Sequence, residues 1–102
     1  MPAAIKQITL NGAQLGYSIH GAGPDKPPLV FVHGGLLRST AGLYEELLDL
    51  LARRYAVHAL DLRGHGASAG ALEGWSLEAV ADDVVAFSRA LELDRPAVVG
   101  RF

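Results

Sequence analysis

Three short runs of consecutive apolar residues recur along the chain, and each leads into a glycine-containing segment. The runs span residues 29–32, 56–60 and 97–99. A run that is apolar at nearly every position is typical of a strand covered on both faces, as in a parallel sheet. We therefore predict three strands, of which the first two are of the buried type, and we expect any chemistry at the segments where these strands end.

The first twenty residues show a different pattern, in which apolar and polar side chains alternate loosely. Ile5 to Leu10 alternates, Asn11-Gly12 follows, and Ala13 to Ile19 alternates again. Asn-Gly between two alternating segments is the signature of a type I′ β-hairpin. Residues 21–28 contain three prolines and two glycines, which predicts a loop before the first buried strand.

Apolar residues recur at helical spacing between the buried strands. The first amphipathic segment follows Ser39 or Thr40, either of which can cap it. Its apolar positions are Leu43, Tyr44, Leu47, Leu48, Leu50 and Leu51. The second segment follows Ser76 as N-cap. Its predicted apolar face comprises Leu77, Val80, Ala81, Val84, Val85 and Leu91.

The predicted order of elements is therefore β-β-β-α-β-α-β. Strands that alternate with helices favour right-handed crossovers and a parallel sheet, so the fold class is α/β. We expect a single partial domain over residues 1–102, in which an N-terminal hairpin precedes a parallel β-α-β-α-β unit.

The amino-acid composition of the chain argues against several classes of function. The formal net charge is −2, with nine Lys and Arg residues against eleven Asp and Glu, so no basic surface for nucleic acid is expected. The chain has no cysteine, which excludes disulfides and thiolate metal sites. No apolar segment is long enough to span a membrane and no leader pattern is present, so we expect a cytoplasmic protein.

Two motifs follow the first two buried strands. The first is His33-Gly34-Gly35, where glycines let backbone N–H groups turn toward a ligand and stabilise an oxyanion. The second is residues 61–68, which read Asp-Leu-Arg-Gly-His-Gly-Ala-Ser. In this order, and with the helices between them, the two motifs resemble the N-terminal half of an α/β-hydrolase core. The resemblance extends from the hairpin to Gly100.

The resemblance implies roles for individual residues. Gly35 would donate its backbone N–H to the oxyanion, with Leu36 adjacent. The other motif residues would be structural: His33, Gly34, Asp61, Arg63, Gly64, Gly66 and Ser68. Such proteins hydrolyse esters or related bonds of small molecules through a serine, and relatives attack epoxides or halides through an aspartate. We expect no cofactor and no metal ion.

The resemblance fails at the position of the nucleophile. The family's elbow reads Gly-x-Ser-x-Gly after a strand. Here Gly100 and Arg101 are followed by Phe102, which has no nucleophilic atom. The acid and histidine of a triad would come later still, so no catalytic residue is assigned. We expect later strands to be missing and this chain to be inactive.

Two other motifs have competing interpretations. Residues 66–70 also read Gly-x-Ser-x-Gly, but neither a strand directly before nor a helix directly after is predicted, so Ser68 makes a poor nucleophile. Residues 64–69 fit the glycine pattern of a dinucleotide-binding βαβ unit. They are followed by a predicted loop instead of a helix, so this interpretation is also disfavoured.

Three hypotheses about function therefore remain. The chain derives from a hydrolase, or it is a non-catalytic fragment of one, or it is a small binding or assembly module. In the last two cases an apolar final strand would lie at the edge of the sheet. Such an edge favours self-association through residues 97–99.

Overall fold

The computed structural model describes residues 4–21, 23, 25–32, 45–63, 68 and 76–100. The described elements follow the predicted order. They are β1 (Lys6–Leu10), β2 (Ala13–His20), β3 (Pro28–Val32), α1 (Glu45–Leu51), β4 (Ala56–Leu60), α2 (Leu77–Ala90) and β5 (Ala97–Gly100). None of the helices in these ranges is long and apolar enough to cross a membrane.

The strands form one mixed sheet in the order β1-β2-β4-β3-β5. The hairpin strands β1 and β2 are antiparallel, and β2 also runs antiparallel to β4. In the other half of the sheet β3 lies between β4 and β5 and is parallel to both. The prediction of an α/β fold with an N-terminal hairpin and a parallel β-α-β-α-β unit is confirmed.

The hairpin turn follows from its two residues. Asn11 and Gly12 have φ angles of 50° and 78°. A type I′ turn needs positive φ at both central positions, and Asn and Gly are the residues that adopt it at least cost. The turn fixes the register of the hairpin, in which Leu10 pairs with Ala13.

Each face of the sheet carries one hydrophobic cluster beneath one helix. The cluster under α2 is built around Phe87, whose ring contacts that of Tyr17 edge-on at a centroid distance of 5.1 Å. The cluster under α1 is built around Leu48, Phe31 and Val57. Since β3 and β4 are covered on both faces, their central residues are buried, as their apolar sequences predict.

The predicted apolar face of α1 is only partly correct. Leu48 is fully buried and Leu51 packs beside it, whereas Leu47 and Leu50 are exposed. Leu43 and Tyr44, as well as the candidate caps Ser39 and Thr40, lie outside the described residues. With leucine at four of the seven helix positions, periodicity alone could not identify the one that faces the sheet.

For α2, the predicted N-cap is confirmed but the predicted face is partly wrong. Ser76 accepts a hydrogen bond through Oγ from the N–H of Ala79, at 3.0 Å. The buried residues of the helix are Asp83 and Phe87, whereas Leu77 and Val85 are exposed. Asp83 and Phe87 are four residues apart and so lie on one helix face. Apolar spacing could not identify this face because Asp83 is charged.

Candidate functional site

The carboxyl ends of the three parallel strands lie in line. Val32 at the end of β3 pairs with Leu60 of β4 on one side and with Gly100 of β5 on the other. The last strand residues before the two motifs therefore lie next to each other at one edge of the sheet, with Gly100 beside them. This edge of the sheet is where open α/β folds bind their ligands.

Only some of the predicted site residues belong to the described part of the chain. The predicted oxyanion-hole residues Gly35 and Leu36 lie outside it, and so do His33, Gly34, Gly64 and Gly66. Asp61, Arg63 and Ser68 are described, and all three are buried.

The Ser68 hydroxyl lies among backbone groups. Its Oγ donates to the carbonyl of Asp61 and accepts from the N–H of Gly16, both at 2.7 Å. The Asp61 N–H in turn donates to the Gly16 carbonyl at 2.9 Å. Ser68 thereby joins the segment after β4 to strand β2. Its proton is directed at a carbonyl oxygen, whereas a nucleophilic serine donates to a base such as an imidazole.

Arg63 forms a buried ion pair with Asp83 of α2. Its Nε and a terminal nitrogen donate to the two carboxylate oxygens at 2.7 and 2.9 Å. The hydrogen bonds to Asp83 raise the pKa of the Arg63 guanidinium above its ordinary value. The Asn11 side-chain amide also donates to Asp83, at 3.2 Å. One carboxylate therefore ties together the hairpin turn, the segment after β4 and α2.

Sequence reasoning missed Asp83 and Asn11 as partners of Arg63. The sequence pattern places Asn11 in the turn and gives Asp83 no role. A signal was available, because Asp83 shares its helix face with the aromatic Phe87 and an unpaired charge is costly at a buried position.

Two histidines lie on the sheet away from this edge. His58 in β4 is buried beside Phe87, and burial lowers its pKa below the ordinary value. Its Nδ1 has no hydrogen-bond partner among the described residues. His20 contacts the Ser18 hydroxyl through Nε2 at 2.9 Å. Burial lowers its pKa as well, and the nearby Asp49 and Glu45 carboxylates oppose the shift.

Among the described residues, neither histidine contacts a solvent-accessible nucleophile. Ser18 is almost completely buried, so no substrate can reach its hydroxyl beside His20. Across the described ranges, no group of three or more His, Cys, Asp or Glu side chains could hold a metal ion.

Comparison with known proteins agrees with the strand order and the motifs. The family model of the alpha/beta hydrolase fold matches residues 27–101. A 2-(acetamidomethylene)succinate hydrolase from Mesorhizobium japonicum is 31% identical over 96 residues, which are 94% of this chain and 31% of the relative. A pimeloyl-[acyl-carrier protein] methyl ester esterase from Chromobacterium violaceum is 44% identical over 62 residues, or 61% of this chain and 22% of that esterase.

Solved structures give the same result. A hydrolase from Pseudomonas aeruginosa superposes with a TM-score of 0.80 at 31% identity, over 94% of this chain and 36% of the other. The crystal structure of E-2-(acetamidomethylene)succinate hydrolase gives a TM-score of 0.76 at 27% identity, over 96% and 35%.

The chain thus spans about a third or less of the length of the curated relatives it matches. The match nonetheless includes the whole parallel β-α-β-α-β unit with both motifs, and the family model covers well over half of the chain. The chain therefore belongs to the α/β hydrolase fold family.

Proposed function

We propose that this chain forms the oxyanion-stabilising half of a hydrolase site for esters or related carbonyl bonds of a small molecule. The observation that carries the proposal is the alignment of Val32, Leu60 and Gly100, which places the carboxyl ends of β3, β4 and β5 side by side. Of the matched curated relatives, one is by name a methyl ester esterase and the other a hydrolase, which supports the same class of reaction.

Within this site, Gly35 would donate its backbone N–H to the oxyanion that forms when the carbonyl carbon is attacked, and Leu36 would lie next to it. A preorganised N–H donor lowers the activation barrier because it is already in position to hydrogen-bond the oxygen on which negative charge develops. Asp61, Arg63 and Ser68 would hold the neighbouring segment in place through their buried hydrogen bonds, while Gly64 and Gly66 would provide its backbone turns.

The nucleophile, the acid and the histidine of this chemistry are not assigned to any residue of the chain. Phe102 occupies the position of the elbow nucleophile and cannot form a covalent intermediate. Ser68, the alternative serine, has its hydroxyl committed to Asp61 and Gly16. We therefore assign the chain the stabilisation of the oxyanion and no covalent step of the reaction.

The purified 102-residue chain is expected to hydrolyse p-nitrophenyl acetate no faster than buffer. Ser68→Ala should leave that rate unchanged. It should also lower the free energy of unfolding by about 1–3 kcal/mol, because the Asp61 carbonyl and the Gly16 N–H lose their buried partner. Urea denaturation followed by circular dichroism measures the second effect.

The matched control is Ser88→Ala. The Ser88 hydroxyl donates to the Val84 carbonyl within α2, a bond that a helix does not need, so this variant should change stability by less than about 0.5 kcal/mol. Saturable ester hydrolysis that Ser68→Ala abolishes would show that Ser68 is a nucleophile after all, and the proposal would then be wrong.

A further inference from the structure

The side chain of His58 is a titratable group at the centre of the sheet. Strand β4 is the central strand of the five, and His58 pairs with Ile19 of β2 on one side and with Val30 of β3 on the other. Val30 belongs to the cluster beneath α2, and paired residues of neighbouring strands point to the same face. The His58 imidazole therefore lies between the sheet and α2, with two strands on each side of it.

Helix α2 covers this imidazole with the side chain of Phe87. The two rings meet edge-on with their centroids 6.4 Å apart, and the Phe87 ring also contacts Tyr17. His58 is 7% exposed and Phe87 is fully buried, so water has little access to the contact between them. Nδ1 of His58 is buried without a hydrogen-bond partner among the described residues. The surroundings of the imidazole are thus mainly apolar.

These surroundings suit the neutral imidazole and penalise the protonated one. The protonated ring carries an N–H on both nitrogens, so Nδ1 would become a buried donor without an acceptor. Burial lowers the pKa of His58 below its ordinary value of 6.5, and backbone groups of Leu29 and Ala56 oppose the shift. A proton on His58 would therefore place a charge where apolar packing holds α2 to the sheet.

No carboxylate on this face of the described sheet is left to balance that charge. Lys6 and Tyr17 of the hairpin share the face, but Lys6 has the same sign of charge as an imidazolium and Tyr17 has no carboxylate. From α2, Asp83 faces the sheet one turn before Phe87, and both of its carboxylate oxygens already bind Arg63. Strands β3 and β5 contain no charged residue.

We infer that His58 is a pH switch for the packing of α2, in which protonation of its imidazole displaces Phe87 and releases the helix from the sheet. Asp83 lies on the same helix face as Phe87, so release of α2 also withdraws the carboxylate from Arg63. Arg63 follows β4 at the edge where the parallel strands end. Acid would thus loosen the segment after β4 as well as α2, whether or not the candidate site takes part in hydrolysis.

His20, on the opposite face of the sheet, has the charged neighbours that His58 lacks. It pairs with Val57, which belongs to the cluster beneath α1, and its Nε2 contacts the Ser18 hydroxyl at 2.9 Å. Burial lowers the pKa of His20, but the Asp49 and Glu45 carboxylates of α1 oppose the shift. Because these carboxylates favour the protonated ring, acid should not release α1 in the same way.

The pH range of the switch follows from the two states of His58. Well above pH 6.5 the imidazole is neutral in both the folded and the unfolded chain, so its titration does not change stability. Below pH 6.5 the unfolded chain binds a proton that the folded chain, with its lowered pKa, does not bind. Stability is therefore lost as the pH falls from 6.5 toward the pKa of the folded state. One such proton changes the unfolding equilibrium constant by at most about tenfold per pH unit.

His58→Leu tests the switch, because leucine keeps an apolar contact with Phe87 but cannot be protonated. Urea denaturation at pH 7.0 and at pH 5.0 gives the unfolding equilibrium constant at each pH. Acidification should raise this constant by a factor that is about five times larger in the unmodified chain than in His58→Leu. His20→Gln is the matched control. It should respond to acid as the unmodified chain does, to within about twofold, since the charge of a protonated His20 is already balanced by α1.

Hydrogen exchange at pH 5.0 shows whether the effect is on α2. The amides of α2 should exchange about fivefold faster in the unmodified chain than in His58→Leu, whereas the amides of β4 should differ by less than about twofold. Equal acceleration in α2 and β4 would mean that His58 lowers the stability of the whole sheet, and the switch would be wrong. An acid response that His58→Leu leaves unchanged would also overturn it, because other groups would then account for the response.

A titration of the His58 ring by NMR covers the case in which His58→Leu does not fold. In the unmodified chain the ring signals should titrate with a midpoint below pH 6.5, and the α2 signals should broaden or shift over the same range. A midpoint at or above pH 6.5, or α2 signals that do not change as the ring titrates, would contradict the proposal.

Discussion

Replacing Asp83 with alanine is expected to lower the free energy of unfolding by about 3–5 kcal/mol, because Arg63 then loses the ion pair and the two hydrogen bonds that Asp83 supplies. Removing one member of a buried ion pair leaves an uncompensated charge away from water. Asp83 is 1% exposed and Arg63 8% exposed, so neither can turn to solvent without opening the structure. Urea denaturation at neutral pH, followed by far-ultraviolet circular dichroism, measures the loss.

Two control variants separate the ion pair from the other contacts of Asp83. Asn11→Ala removes one neutral donor at 3.2 Å and should cost no more than about 1.5 kcal/mol. The double variant Arg63→Met with Asp83→Leu removes both charges and should recover most of the loss. A loss below about 1 kcal/mol for Asp83→Ala, or a double variant as unstable as the single one, would show that the ion pair does not hold α2 to the segment after β4.

The sequence predicts the strands and the hairpin well because their signals are local. Asn11-Gly12 demands positive φ at two positions, and the structure has both. The runs that become β3 and β4 are apolar at nearly every position because both faces of those strands are covered. Ser76 caps α2 by a contact only three residues along the chain.

The helix faces are harder to predict because burial depends on distant partners. Phe87 packs on Tyr17 and His58, neither of which lies near it in sequence. Leu50 has the same character as Leu48, yet only Leu48 points at the sheet. Apolar spacing thus predicts that a segment is helical but does not determine which side of the helix faces the sheet.

For the candidate site, the motif could be recognised but its contacts could not. Residues 61–68 indicated a structural segment, and the bonds of Ser68 with Asp61 and Gly16 explain how such a segment is held. The Gly16 contact spans 52 positions of sequence. Only the pairing of β2 with β4 brings these residues together, and no short-range pattern encodes that pairing.

The largest effect on activity is expected at Gly35. In a chimera that carries residues 1–100 of this chain in place of the matching third of the Mesorhizobium japonicum hydrolase, the rest of the site comes from the relative. Gly35→Pro should then lower kcat by about 100- to 1,000-fold, because proline lacks the N–H that would meet the oxyanion. Steady-state hydrolysis of that relative's own substrate measures kcat and KM.

Gly35→Ala is the matched control, since alanine keeps the N–H and should retain more kcat than proline does. A donor that acts mainly on the transition state changes kcat far more than KM, so the two variants should differ chiefly in kcat. If Gly35→Pro turned over as fast as the unmodified chimera, Gly35 would not donate to the oxyanion. Equal losses for proline and alanine would point to the shape of the turn, because only the proline variant lacks the hydrogen-bond donor.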